Sequence, residues 1–332
     1  MREWDEIGAC ALSRRVDCSP PNAATTWFVR DFSHSRTACA PTVRGRRGDT
    51  VRLPAVDADF RDKTVIITGG SEGVGAATAR RFAEAGANLV LVARGKRKLE
   101  LIAEELRPSA RVLISAMDVT DADACHNVAK KAAYEFGDIH VLVNNAGYHK
   151  RGPVERMAPD ELGRMIDVNL RAPIVLTRVV LPYLRKAGTG AVINVASLAG
   201  RTPVMGAATY SASKFGLRAF TFALGEELAG SGIKLAAVSP GPIDTGFIMA
   251  NIDEVADITF SQPLSTAEEV AQVIMNLAVN DKRERSMPPV SGLLTTLSYL
   301  FPGLGKRLRP ALLRKGRRVK QQLKAKMRAE EG

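Results

Sequence analysis

Nowhere does this chain contain the ~20 consecutive apolar residues needed to cross a bilayer, so no membrane-spanning helix is expected. Cysteine is scarce: Cys10, Cys18, Cys39 and Cys125 form no Cys-x-x-Cys pair, and the four histidines do not cluster at metal-ligand spacing. Those absences argue against a zinc site or a disulfide framework, and no metal is expected. With one cysteine in its body, the chain reads as intracellular and cytoplasmic. The first 60 residues hold no lysine, and Glu3, Asp5 and Glu6 stand where a signal peptide would be positive, with no apolar region behind them. Asp and Glu are missing altogether from residues 306–328, which carry eleven Lys or Arg. Most of the net charge of +12 therefore belongs to that tail, and any anionic partner is to be sought there.

What is present divides into three parts. Residues 1–60 lack helical or strand periodicity and contain Pro20-Pro21 and Arg44-Gly-Arg-Arg-Gly48, so they read either as a disordered extension or as residues upstream of a true start near Val51. From 61 to 290, short apolar strands alternate with helical patterns. Strands are expected at 64–68, 88–93, 111–117, 140–143, 191–196, 234–239 and near 286–290. Helices are expected after the first turn and over 95–107, 121–136, 159–185, 207–229 and 266–280. Such alternation, with strands apolar on both faces, predicts an α/β fold: a doubly wound, Rossmann-type parallel sheet of about seven strands in a single domain. Residues 291–332 form an apolar segment and then a basic tail, both outside that domain.

The first strand runs into Thr68-Gly69-Gly70-Ser71-Glu72-Gly73-Val74-Gly75. Glycines between a strand and a helix let the backbone approach a pyrophosphate and leave free N–H groups aimed at it, so this turn reads as a dinucleotide cradle. The second strand ends at Ala93-Arg94 with no acid to bind ribose hydroxyls. Arg94 can instead accept a 2′-phosphate, which points to NADP in preference to NAD. Asp118, at the end of the third strand, is a candidate acceptor for the adenine amino group or an N-cap.

Tyr210 and Lys214 lie four residues apart in Tyr-Ser-Ala-Ser-Lys, on one face of a helix. A phenol beside an ammonium loses its proton more easily than a free phenol, giving a proton donor and acceptor near neutral pH. Next to a dinucleotide site, that pairing predicts hydride transfer to or from a carbonyl.

Taken together, these motifs resemble the short-chain dehydrogenase/reductase family over about residues 62–290. Thr68–Gly75 resembles its TGxxxGxG turn, Asn144–Gly147 its NNAG, Tyr210–Lys214 its YxxxK, and Pro240-Gly241 with Thr245 its PG…T segment. Ser197 stands thirteen residues before the tyrosine, as the family's serine does, and Asn169 in Val-Asn-Leu resembles its fourth catalytic member. One departure is Glu72, where several NADP-preferring members carry a cation. The resemblance implies that Tyr210 donates or accepts the proton, Ser197 holds the substrate oxygen, Lys214 holds the ribose and Asn169 binds a relay water. It also implies a dinucleotide lined by Thr68, Gly69, Ser71, Gly73, Val74, Gly75, Val119, Asn145, Ala146, Gly147, Pro240, Gly241, Ile243 and Thr245, and a homo-oligomer.

Residues 242–263 carry Phe247, Ile248, Met249, Ile252, Val255, Ile258 and Phe260, in the segment that forms a lid in this family. An apolar lid predicts a hydrophobic ketone, aldehyde or alcohol as substrate, unless these residues pack on the body. Tyr148 and His149 are candidate pocket residues, with His149 read as a surface histidine. In the tail, Leu308, Leu312, Val319, Leu323 and Met327 fall on one helical stripe among the cations, with Pro310 and Gly316 as expected interruptions. Peripheral membrane contact and docking on the chain's own subunits both fit such a helix. Nucleic acid does not, because no aromatic platform accompanies the charge. A non-catalytic dinucleotide-binding scaffold is the alternative function.

Overall fold

The computed structural model describes residues 59–244, 252, 255 and 257–331, with the side chains of 304–306 and 326–331 excepted. Its centre is a seven-stranded parallel sheet in the order β3-β2-β1-β4-β5-β6-β9. In chain order the strands are β1 (Thr64–Thr68), β2 (Asn88–Ala93), β3 (Val112–Ala116), β4 (Val141–Asn144), β5 (Gly190–Val195), β6 (Ile233–Pro240), β7 (Ile243–Asp244), β8 (Ser265–Thr266) and β9 (Glu284–Met287). β7 and β8 make a separate two-stranded pair that the sequence did not announce.

The helices are α1 (Gly73–Glu84), α2 (Lys96–Leu106), α3 (Ala122–Phe136), α4 (Pro159–Ile166), α5 (Ala172–Lys186), α6 (Ala208–Glu227), α7 (Ala267–Val279), α8 (Pro289–Leu300) and α9 (Pro302–Glu331). Local chemistry sets their starts. Asp121 accepts from the Ala124 N–H at 3.0 Å to cap α3, so the capping role falls to Asp121 and not to Asp118. Thr266 and Glu269 cap α7 reciprocally, through bonds of 3.1 and 3.0 Å.

Why the strands lie inside follows from their side chains. All five residues of β1 are buried, Val65 and Ile67 in the core layer with Phe82 and Val270, and Ile66 in the opposite layer with Val128 and Leu176. Helices thus cover both faces, and each fully buried aliphatic side chain contributes about 1.5–3 kcal/mol. Phe60 closes the near edge of one layer with its ring edge-on to Phe82, 4.8 Å between centroids. The strand order reverses between β1 and β4, which opens a crevice at their carboxyl ends, where ligands of such sheets bind.

One expectation is refined and one corrected. The helix expected over 159–185 runs unbroken through α4 and α5, with a π-helical turn, Asp167–Arg171, inside it. Pro173 has no N–H to bond the Asn169 carbonyl, so the regular i→i−4 ladder cannot run through this point. Pro310 and Gly316 do not interrupt the tail helix, which is continuous through both. Gly316 is buried where α9 crosses the short helical turn Asp257–Ser261, and a Cβ there would lie 1.8 Å from the Asp257 carbonyl oxygen. The glycine serves a close crossing.

Candidate active site

Four strand ends meet at the crevice. β1 delivers the glycine turn, β4 delivers Asn144–Gly147, β5 delivers Ser197, and β6 delivers Pro240-Gly241. Gly69 has φ +67, and a Cβ on it would sit 2.7 Å from the Asn145 amide nitrogen. A Cβ on Gly75 would sit 2.0 Å from the Gly69 carbonyl oxygen, so the turn closes only without side chains at both positions. Asn145 braces it, donating from Nδ2 to the Thr68 carbonyl at 2.9 Å. The Thr68 hydroxyl accepts from the backbone N–H groups of Asn145 and Ala146, each at 3.0 Å. The first turn of α1 has no acid inside it, and its free N–H groups face the crevice end of the sheet. A cradle of bare backbone at a helix N-terminus fits a pyrophosphate.

Arg94 is exposed just beyond β2, near the start of α2. Glu72 pairs with Lys98 at 2.5 Å, which partly neutralises the acid that departs from the NADP pattern. Asp118 is engaged on both oxygens: Oδ1 accepts from the Thr120 N–H and hydroxyl, and Oδ2 pairs with Arg164 at 3.0 Å. Burial raises its pKa, but the Thr120 bonds and the Arg164 and Arg94 cations outweigh it, so the net shift is downward. Ser71, Gly73 and Val74 lie in the turn and the start of α1, Val119 follows Asp118, and Ile243 pairs in β7. Thr245 lies outside the described residues.

The four catalytic candidates come from three elements, with Tyr210 and Lys214 together on α6. Asn169 sits in the π-helical turn, fully buried, and grips the chain after Gly147 from both sides: its Oδ1 accepts from the Tyr148 N–H, and its Nδ2 donates to the Tyr148 carbonyl, each at 2.9 Å. The same Nδ2 reaches the Ser213 hydroxyl at 3.3 Å, and that hydroxyl donates to the Tyr210 carbonyl at 2.7 Å. Asn169 is therefore tied to the turn of α6 that carries Tyr210 and Lys214. Ser197, in extended conformation after β5, accepts from the Ala199 N–H at 3.1 Å and donates toward the Pro240 carbonyl at 3.5 Å. Behind them a satisfied polar layer joins β4, β5, α5 and α6: Asn144 donates to Asn194 and Thr177, and Asn194 donates to Thr221.

Lys214 is buried and donates to the Val195 carbonyl at 2.8 Å, with its Nζ 5.8 Å from the centroid of the Tyr210 ring. Burial lowers its pKa from 10.5 to about 8. Tyr210 differs from expectation. Burial pushes its phenol up, and the Ser197 hydrogen bond and the Arg151 cation offset only part of that rise. Lys214 does not dominate the phenol's acidity here, so the phenol stays protonated near neutral pH.

His149 is not on the surface. Its ring stacks on Tyr210 with centroids 4.0 Å apart and planes 12° apart, and its Nε2 is buried without a hydrogen-bond partner. Burial, with the Arg151 and Lys214 cations, lowers its pKa to about 3, so it stays neutral. Arg151, overlooked in the sequence because no motif marks it, is half-buried and reaches Thr259 at 3.5 Å. No salt bridge to Arg151 occurs among the described residues. The apolar lid residues are also used differently from expectation. Ile252, Val255 and Phe260 are buried together against Val319 and Leu323, so they pack on the tail helix α9, while 245–250 lie outside the described residues.

Comparisons with known proteins converge on one family. The family model described as "short chain dehydrogenase" matches residues 63–256. An uncharacterized oxidoreductase of Staphylococcus saprophyticus is 36% identical over 238 residues, covering 69% of this chain and 94% of the relative. Among solved structures, a metagenomic short-chain oxidoreductase in complex with NADP superposes with TM-score 0.60 at 31% identity, covering 69% of this chain and 98% of the other. An actinorhodin polyketide ketoreductase with NADPH gives TM-score 0.61 at 31% identity, covering 65% and 89%.

Proposed function

Given that the chain belongs to the short-chain dehydrogenase/reductase family, NAD(P)-binding oxidoreductases acting between CH–OH and C=O, we propose that it is an NADP-preferring carbonyl reductase. The observation that carries this reading is the assembly of Asn169, Ser197, and the α6 pair Tyr210 and Lys214 from three separate elements beside a side-chain-free glycine turn.

The backbone of Gly69, Ser71, Gly73, Val74 and Gly75 holds the pyrophosphate, Arg94 the 2′-phosphate, and Asn145, Ala146, Gly147, Pro240, Gly241, Ile243 and Thr245 the nicotinamide half. Asp118 and Val119 flank the adenine. When bound, the reduced cofactor supplies a hydride to the carbonyl carbon. Ser197 donates a hydrogen bond to the carbonyl oxygen and stabilises the negative charge that develops there. Tyr210 gives that oxygen its phenolic proton, completing the alcohol, and its raised pKa keeps the proton in place until charge builds. Lys214 holds the ribose hydroxyls and stabilises the phenolate left behind. Asn169 positions a relay by which Lys214 and Tyr210 regain a proton from solvent.

A hydrophobic ketone or aldehyde is the proposed substrate, within lipid metabolism. The loop between Ser197 and Tyr210 supports it, with the apolar residues Pro203, Val204 and Met205, the last 76% exposed. The NADP-bound and NADPH-bound neighbours support the cofactor preference. A cytoplasmic homo-oligomer is the expected state.

The test is oxidation of NADPH and NADH against ketones and aldehydes of increasing chain length, with Tyr210→Phe as control. Turnover that prefers NADPH, rises with chain length and disappears in the variant is expected. Tight cofactor binding with no Tyr210-dependent turnover would instead support the scaffold reading.

A further inference from the structure

We propose that α8 and the basic helix α9 form a surface that binds the face of an anionic phospholipid bilayer. The inference goes beyond the reductase reading and does not depend on it.

The first observation is that α8 is turned inside out. Its small residues Ser291, Gly292 and Thr295 are the buried ones, each side packing toward the body. A Cβ on Gly292 would lie 2.3 Å from the Ser286 Cβ, so the helix presses its small-residue stripe onto the end of β9. The Arg201 guanidinium donates to the Thr296 hydroxyl at 2.8 Å and fixes the same face inward. The large apolar residues point the other way: Val290 is 68% exposed, Leu293 61%, Leu294 53% and Leu300 62%. Their spacing of three, four and ten residues puts them on one stripe, and Phe301 continues it at 59% exposure. A helix normally buries such a stripe, and one left outward calls for an apolar partner.

The second observation is charge. Residues 285–329 contain twelve Lys or Arg and no Asp or Glu. On α9, Arg307, Arg314 and Arg318 are exposed, and their spacing of seven and four places them on one helical face. None of the three pairs with a carboxylate among the described residues. Other residues of α9 are already committed, with Arg317 and Lys320 on Asp257 and with Val319 and Leu323 on Phe260. Leu308 and Leu312, on the same stripe as Val319 and Leu323 but nearer the start of the helix, are exposed at 46% and 39%.

These features select the occupant. An apolar stripe on α8 and unpaired cations on α9, the helix that follows and contacts it, together complement a bilayer interface, where acyl chains meet anionic headgroups. A second copy of this chain would bring its own Arg307, Arg314 and Arg318 against the same three cations, which charge repulsion disfavours. At twelve residues α8 is too short to span a membrane, and no described helix is long and apolar enough to do so. The contact is therefore interfacial, with α8 lying in the headgroup region. A hydrogen bond links the surface to the candidate active site, because Arg201, which holds Thr296, lies one residue beyond the helical turn that follows Ser197.

The experiment is cosedimentation of the full-length protein with vesicles of equal phosphatidylglycerol and phosphatidylcholine, against pure phosphatidylcholine. Each exposed cation near an anionic surface strengthens partitioning about fivefold. Arg307→Gln/Arg314→Gln/Arg318→Gln should therefore weaken binding to the anionic vesicles about 100-fold. Leu293→Asn/Leu294→Asn should weaken it tenfold or more. NADPH binding and melting temperature should be unchanged in both variants, since all five side chains are exposed. Failure to bind anionic vesicles at low salt, or binding insensitive to the leucine pair, overturns the proposal. So does an RNA complex that competes for the cations, or a dimer that dissociates in the leucine variant without vesicle binding.

Discussion

Lys214→Met should make the protein more stable while ending its activity, and the size of the gain can be worked out. Lys214 is 5% exposed, and burial lowers its pKa from 10.5 to about 8. Below pH 8 the amine is protonated in both the folded and the unfolded chain, but the folded state bears the cost of a buried ammonium. Each pKa unit is worth about 1.4 kcal/mol, so the gap corresponds to about 3 kcal/mol of destabilisation. Methionine has similar length and no charge, so it removes that cost. It also leaves the Val195 carbonyl without its 2.8 Å partner, a loss of about 1 kcal/mol. The net gain at pH 7 is about 2 kcal/mol, or about 4–8 °C in melting temperature for a domain of this size.

The pH dependence gives the decisive check. Between pH 8 and 10.5 the unfolded chain binds the proton that the folded chain has released, so the wild type gains stability as pH rises and the variant's advantage shrinks. Above pH 10.5 neither state is protonated, and the variant should be about 1 kcal/mol the less stable of the two. Lys234, with its pKa lowered by burial to about 8, titrates in the same window, but it is present in both proteins and cancels in the difference. Denaturant melts of the cofactor-free proteins from pH 6.5 to 11 provide the curves. If Lys214→Met is less stable at pH 7, or if the difference does not change with pH, then burial does not destabilise the ammonium and the electrostatic argument fails.

Gly75→Ala should abolish NADPH binding measured by fluorescence, by 100-fold or more, because its Cβ would meet the Gly69 carbonyl at 2.0 Å and force the turn open. Arg94→Ala should raise the Kd for NADPH about 10- to 100-fold and leave NADH unchanged, the range expected when a charge-assisted phosphate contact is lost. Glu284→Gln should cost about 1–3 kcal/mol at pH 7, because Arg201 at 2.5 Å and Arg218 at 2.9 Å would keep part-buried charges without a carboxylate. Burial raises the Glu284 pKa, but the bonds from Arg218, Ser239 and Arg201 outweigh it and the net shift is downward. The wild type should therefore lose this stability as pH falls through the acid range, and thermal melts at pH 7 and pH 3.5 should show the gap to Glu284→Gln closing.

How far the sequence revealed the site depends on the range of the forces involved. Strands such as Thr64–Thr68 and the turn after them were legible because an apolar run and a glycine pattern act on their immediate neighbours. The parallel, doubly wound sheet of seven strands followed from alternation and the handedness of crossovers. What escaped was set by distant contacts. The apolar residues of 252–260 looked like a lid because nothing local shows that α9, some sixty residues later, covers them. Gly316 looked like a helix breaker for the same reason: its purpose is the Asp257 backbone that crosses it. The phenol of Tyr210 was expected to be acidic from its spacing to Lys214, but spacing says nothing of desolvation, and burial raises one pKa and lowers the other. His149 was misplaced because a lone histidine after a glycine turn carries no signal of the ring it will stack on. The π-helical turn was closer to legible. Pro173 withholds an N–H from the Asn169 carbonyl, and a proline four residues beyond a candidate catalytic asparagine is reason to expect a break that turns that side chain inward.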